Sequence, residues 1–301
     1  MSTVRLSAVA VQISAADGRV VRAFAYGSRE GARASVVINS ALGVSQEYYV
    51  LFAESLASRG YYVLTYDYRG NGVRGPQLRA IQASLTDWGT LDFAAVVDHA
   101  ERAAPQLPIL CVGHSVGGQL LGLLPNNNRV VAMVAVASQV GYWGYWSGRE
   151  KWKSWFTFHF AIPLLTLLLG YYPGSRLGAC DLPAGVAREW ARWCRSAAYI
   201  RDAAGKPQRS GFLGYRGRAL FISLYDDPLF APRRAVAALC GYFQNAHREH
   251  VHIEPETVKG KSVGHLGFFR KPLGRQLWPM VLDWFDTAVP NHKENYHAIQ
   301  Q

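Results

Sequence analysis

The chain has 301 residues, half of them hydrophobic, which is enough for a buried sheet covered on both faces, and no repeat or low-complexity linker divides it, so one core with an insertion is expected. Its net charge is +11, but no nucleic-acid-binding motif accompanies the excess, and nucleic acid is excluded as a partner. The four cysteines (Cys111, Cys180, Cys194 and Cys240) lack metal-ligand spacing, so reduced thiols are expected, with neither metal nor cofactor.

In chain order, strands are expected near 5–13 and 20–26, joined by an Ala16-Asp17-Gly18 turn into an antiparallel hairpin. Met1 to Ser14 intersperses Arg5, Ser7 and Gln12 among apolar residues. That pattern suits a strand rather than a signal peptide, so a cytoplasmic location is expected. Further strands are expected near 34–39 and 61–66, the second running into Tyr66-Asp67-Tyr68-Arg69-Gly70-Asn71-Gly72, read as a scaffold turn. From about Asp87 to Ala103, Leu91, Ala94, Val97 and Ala100 form an apolar helix face, with Asp92, Asp98, Glu101 and Arg102 on the polar one.

The next strand, near 108–113, ends in Gly113-His114-Ser115-Val116-Gly117-Gly118 and passes at once into helix-forming residues. A GxSxG pattern between strand and helix is the sequence of a nucleophile elbow. The turn is so tight that only residues without a Cβ fit two before and two after the serine, hence Gly113 and Gly117. Ser115 is the candidate nucleophile. The N–H of Val116 lies at a helix N-terminus, where it can stabilise a developing oxyanion.

After a strand near 130–137 the alternation breaks between about 141 and 216. Six of the nine tryptophans lie here (Trp143, Trp146, Trp152, Trp155, Trp190 and Trp193). Residues 140–218 hold twelve Lys and Arg against four acidic residues, a net of +8. Trp155 to Tyr172 is the most apolar window, slightly short for a membrane span, and is expected as a cap helix packed over the active site, with a surface that also touches lipid, or a true span, as the alternatives. A helix from about Ala184 to Ala198 aligns Arg188, Arg192 and Arg195 on one side. With Lys151 and Lys153 these arginines would form either an interface to anionic membrane or an ordinary solvated face.

The core resumes with a strand near 218–224 that runs into Tyr225-Asp226-Asp227-Pro228, setting carboxylates at a strand's carboxyl end, where α/β sheets hold their sites. A last strand near 248–253 carries His250 and His252 on one side, beside His247, without the acidic or Cys partners of a metal site. Gly264-His265-Leu266-Gly267 then places a histidine in a loop before the C-terminal helix, a position suited to a general base.

The order of GHSVGG, YDDP and GHLGFF, after YDYRGNG, resembles the α/β-hydrolase superfamily, nearest its monoacylglycerol-lipase and proline-iminopeptidase-like serine hydrolases, over roughly residues 4–288. That resemblance implies a doubly wound, mostly parallel eight-stranded sheet from residues 1–140 and 217–301, with a helical cap at 141–216. It implies Ser115 as nucleophile, His265 as base and Asp227, the Asp directly before the proline, as the orienting acid in preference to Asp226. The family's second oxyanion donor follows a His-Gly pair; here Ser40-Ala41 stands in its place, which points to the N–H of Leu42 beside that of Val116. Arg74 stands where the family tends to have a serine closing the DxRGxGxS turn. The expected substrate is a small acyl ester with an apolar or lipid-like acyl group. A thioester, an amide or peptide bond, or lipid binding without turnover are the alternatives.

Overall fold

The computed structural model describes residues 8–177 and 180–289; residues 5–7 of the first expected strand lie outside them. The strands are β1 (Val9–Ser14), β2 (Val20–Tyr26), β3 (Ser35–Asn39), β4 (Tyr62–Tyr66), β5 (Ile109–His114), β6 (Val130–Val136), a short pair β7 (Tyr171–Tyr172) and β8 (Leu182–Pro183), then β9 (Arg218–Leu224) and β10 (His247–Ile253). Eight of them form one sheet in the order β1-β2-β4-β3-β5-β6-β9-β10. Only β2 runs against the other strands, antiparallel to both β1 and β4; every pairing from β4 to β10 is parallel.

Burial follows from this topology. Every residue of β3, β4 and β5 is buried, as crossover helices on both faces require, whereas β1 at the edge keeps most of its side chains exposed or half-buried. The chain order reverses between β3 and β5, which are hydrogen-bonded neighbours with Asn39 opposite Gly113. The loops leaving their carboxyl ends therefore diverge around a crevice, the usual site position in an open α/β sheet.

Two findings modify the sequence-based expectations for the helix after β4. It begins at Leu85, capped by a reciprocal Ser84–Asp87 box, passes through a π turn at Trp88–Phe93 and continues as Ala94–Ala103. Asp92, assigned to the polar face, is 1% exposed. It accepts hydrogen bonds from Arg69 Nε and Nη2 at 2.9 and 2.7 Å and from the Arg69 backbone N–H at 2.9 Å. Arg69 also reaches Asp17 of the β1–β2 turn, and Trp88 donates its indole N–H to the Arg69 carbonyl at 3.1 Å. Asp67 meanwhile accepts from Gln46 and Asn71. The Tyr66–Gly72 segment is thus a scaffold turn, tied to three separate elements by charge-assisted bonds.

Between β6 and β9 the chain leaves the sheet. Helix Gly148–Phe156 leads through a π turn at Thr157–Ala161 into helix Ile162–Leu169. The run stops at Gly170, which adopts φ +73°, so the apolar window ends as a helix there and Tyr171–Tyr172 form β7. The helix beginning at Ala184 ends at Cys194 rather than near Ala198. Trp146 anchors the start of the insertion by donating to the Leu229 carbonyl at 2.7 Å. Near its other end, Asp181 accepts from the Gly75 N–H at 2.8 Å, and Pro183 lies against Gly70.

Removing the Asp92 carboxylate would leave a guanidinium whose side chain is only 6% exposed without its buried partner, with only the more exposed Asp17 to pair it. Asp92→Ala is therefore expected to lower unfolding free energy by about 3–5 kcal/mol, measured by urea denaturation, and a loss below about 1 kcal/mol would show that the network is dispensable.

Candidate active site

Ser115 stands between the end of β5 and helix Val116–Gln119 with φ 53° and ψ −119°, a conformation that L-residues avoid and that persists only where surroundings enforce it. Gly113 and Gly117 do so by close approach, though not solely to each other. A Cβ on Gly113 would overlap Gly118 and the Gly117 carbonyl carbon. One on Gly117 would overlap the backbone of Asn39 and Ser40 at the end of β3. Asn39 pins the same junction: its amide donates to the Gly117 carbonyl at 3.2 Å, while Tyr66 donates its hydroxyl to Asn39 Oδ1 at 2.6 Å.

Asp227 and His265, 38 residues apart, meet directly. His265 Nδ1–H donates to Asp227 Oδ2 at 2.6 Å, and Asp227 is only 2% exposed. The second carboxylate oxygen accepts from the Phe230 N–H at 3.2 Å. Asp226 does something else. Its two oxygens accept from Ser262 Oγ and from the N–H groups of Val263 and Gly264 at 2.7–2.9 Å, holding the turn that carries His265. The two carboxylates share one strand end and divide the work: one meets the imidazole, the other the loop beneath it.

Ser115, 7% exposed, makes no hydrogen bond to His265 among the described residues. The structure links the elbow to the imidazole loop through His114 instead. Tyr49 donates its hydroxyl to His114 Nδ1 at 2.8 Å, and His114 Nε2 meets the His265 carbonyl at 2.8 Å. A carbonyl can only accept, so Nε2 carries the proton and Nδ1 is the acceptor. The Tyr49 oxygen itself accepts from the Ala41 N–H at 2.8 Å. Complete burial, with the neighbouring His265 charge second, lowers the His114 pKa to about 3, which keeps this neutral tautomer over the ordinary pH range. Tyr48 adds a bond to the Leu266 carbonyl at 2.8 Å.

The Ala41 bond also bears on the donor expected from Leu42. The N–H of Ala41 is consumed by Tyr49, while that of Leu42 has no acceptor among the described residues. Val116 is the first residue of its helix, a position whose N–H has no intrahelical acceptor.

Sequence reading missed Tyr48, Tyr49 and His114. His114 was in view as the residue before Ser115, but nothing in its pattern distinguishes it from the end of a strand, and the tyrosines belong to no motif. The histidines of β10 take no part: His250 and His252 both bond Ser223 Oγ, at 2.9 and 2.7 Å.

Known proteins bear on this geometry in two ways. Among solved structures, DcsB in complex with its substrate analogue is 16% identical, covering 94% of this chain and 99% of that one, with a TM-score of 0.64. An esterase of Pyrococcus furiosus is 15% identical over 95% of this chain and 92% of its own, TM-score 0.62. An esterase from Exiguobacterium antarcticum is 15% identical over 91% and 98%, TM-score 0.54. At these identities the likeness shows the fold. The sequence of residues 30–190, just over half of the chain, matches the family described as Serine aminopeptidase, S33. That span runs from the approach to β3 through the elbow into the insertion, and the chain belongs to this serine aminopeptidase S33 family of α/β hydrolases.

Proposed function

We propose that the protein is a serine hydrolase that cleaves an acyl ester through Ser115, His265 and Asp227. The observation that carries the reading is the 2.6 Å bond from His265 Nδ1 to a buried Asp227, on a segment tied at 2.8 Å to His114, the residue before a serine held at positive φ. Asp227 fixes the imidazole tautomer with Nε2 free to accept a proton, and would stabilise the imidazolium as it forms.

In the first step Ser115 Oγ bonds to the acyl carbon, and its proton passes to His265 Nε2. The carbonyl oxygen becomes an oxyanion, for which the N–H groups of Val116 and Leu42 are the donors we assign. Collapse expels the alcohol, which takes the proton from His265, and leaves an acyl-enzyme that water hydrolyses by the same route.

The ester, with a lipid-like or medium-chain acyl group, is favoured by the aromatic and apolar content of the insertion, which we read as a cap over the site. The family is named for an aminopeptidase, so an amide substrate is the second reading; a thioester would use the same three residues. We place the protein in a reducing cytoplasmic compartment, in which Cys111, Cys180, Cys194 and Cys240 would stay thiols. Burial pushes the Cys111 and Cys194 thiols up, away from reactivity.

Ser115→Ala should preserve the fold and lower kcat on p-nitrophenyl esters by about 10⁶-fold; turnover like the wild type would end this reading. Asp227→Asn should cost on the order of 10⁴ in kcat. Asp226→Asn should cost far less, because it touches the loop and not the imidazole, and the reverse ranking would transfer the orienting role to Asp226. A series of esters, thioesters and amides of rising chain length then identifies the bond cleaved.

A further inference from the structure

The outer face of the insertion carries a surface that hydrolysis does not require. Trp152, Phe156, Phe160, Leu164, Leu167 and Leu168 are 51–73% exposed. They make up six of the thirteen exposed large apolar side chains among the described residues. All six lie on the helical run over 148–169, at successive spacings of four, four, four, three and one. On a regular α-helix a four-residue step drifts by about 40°, so such a row would spiral off its face. The π turn at Thr157–Ala161 has more residues per turn, reverses that drift and returns the row to one side. Phe158, Ile162 and Thr166, on the opposite side, are buried against the protein.

Cationic groups border this row. Arg149 and Lys153, exposed and one turn apart, flank Trp152, and Lys151 lies 5.3 Å over the Trp143 ring. Farther along, Leu167 and Pro163 form one wall of a groove of about 820 Å³ whose other wall includes Arg188, Arg192 and Arg195. Arg188 is anchored to the Thr166 carbonyl and hydroxyl at 2.9 and 3.0 Å, and Arg192 is paired with Glu189, so Arg195, exposed and in no ion pair among the described residues, is the free cation of the groove. No helix among the described residues is long and apolar enough to cross a membrane.

We propose that this face docks on an anionic lipid bilayer, with the 148–169 run lying in the interface plane. Its apolar row would enter the acyl boundary and its lysines and arginines would meet phosphate headgroups, the arrangement by which an amphipathic helix binds without spanning. Charge selects this occupant over a second copy of the chain. A two-fold contact would set Arg149, Lys151 and Lys153 of each copy against the same face of the other; Glu150, the one acid on that helix, pairs Lys153 at 2.6 Å and leaves a net excess of two cations per copy, which an anionic surface neutralises. The proposal is independent of Ser115 being a nucleophile, and the Ser115→Ala variant is expected to bind as the wild type does.

The test is co-sedimentation of the full chain with phosphatidylcholine vesicles containing 30% phosphatidylglycerol, in low salt. The wild type should pellet with them, should release as salt is raised to 0.5 M, and should bind pure phosphatidylcholine weakly. Phe156→Ser, Phe160→Ser and Leu168→Gln together, all at exposed positions, should weaken binding at least roughly a hundredfold, with an unchanged thermal midpoint showing that the fold persists. Arg149→Gln, Lys151→Gln and Lys153→Gln should weaken it by roughly tenfold or more on anionic vesicles alone. Failure of the wild type to pellet in low salt, or binding by the triple apolar variant equal to the wild type, would overturn the proposal. So would a dimer in light scattering that the apolar substitutions dissolve while vesicle binding is absent.

Discussion

The site depends on one backbone constraint: Ser115, a residue with a Cβ, is held at φ 53°. Positive φ outside glycine costs on the order of 1–3 kcal/mol, and the surroundings must supply it. Parallel pairing of β5 with β3 and β6 fixes the strand up to His114, and the Ser115 N–H donates to the Val136 carbonyl at 2.9 Å. Beyond the serine, Gly117 and Gly118 allow the next turn to press on Asn39, Ser40 and Ser138. Each partner is buried and already hydrogen-bonded or packed, so the strained turn has no alternative into which to relax.

A second order of constraint radiates from the residue before the serine. Neutral His114 connects three segments that leave different strands: the loop after β3 through Tyr49 and Ala41, the elbow through its own backbone, and the His265 loop through a carbonyl. Asp226 and Tyr48 hold that last loop from other sides. His265, expected in a loop, therefore sits in the short helical turn Gly264–Gly267, whose backbone is fixed at Val263, Gly264, His265 and Leu266, and Asp227 has only to orient the ring. Such support holds the imidazole in one position relative to the elbow, as the proposed hydrolysis would require.

The sequence discloses whatever depends on local pattern. Runs such as Val36-Val37-Ile38 and Leu110-Cys111-Val112 identify buried strands, the glycines around Ser115 identify the elbow, and chain order points to the Asp226–Asp227 pair and to His265; only the family resemblance prefers Asp227, which the structure brings to 2.6 Å from His265. What stays hidden depends on partners distant in sequence. Asp92 reads as a polar-face residue because its pattern carries no sign of Arg69, 23 residues away. His114 reads as a strand end because Tyr49 and the His265 carbonyl are 65 and 151 residues away. The Trp155–Tyr172 window shows its hydrophobicity in sequence but not its exposure. A π turn cannot be read from hydrophobic periodicity, and without it the outward row would look like a helix buried on all sides.

The central claim, that the elbow presents Ser115 as the one activated nucleophile, is tested most directly by treating the protein with a fluorophosphonate and mapping the adduct by tandem mass spectrometry. A single phosphonylated residue, Ser115, is expected, formed at a rate that falls sharply in His265→Gln. No adduct, or an adduct on another residue with Ser115 unmodified, would contradict it.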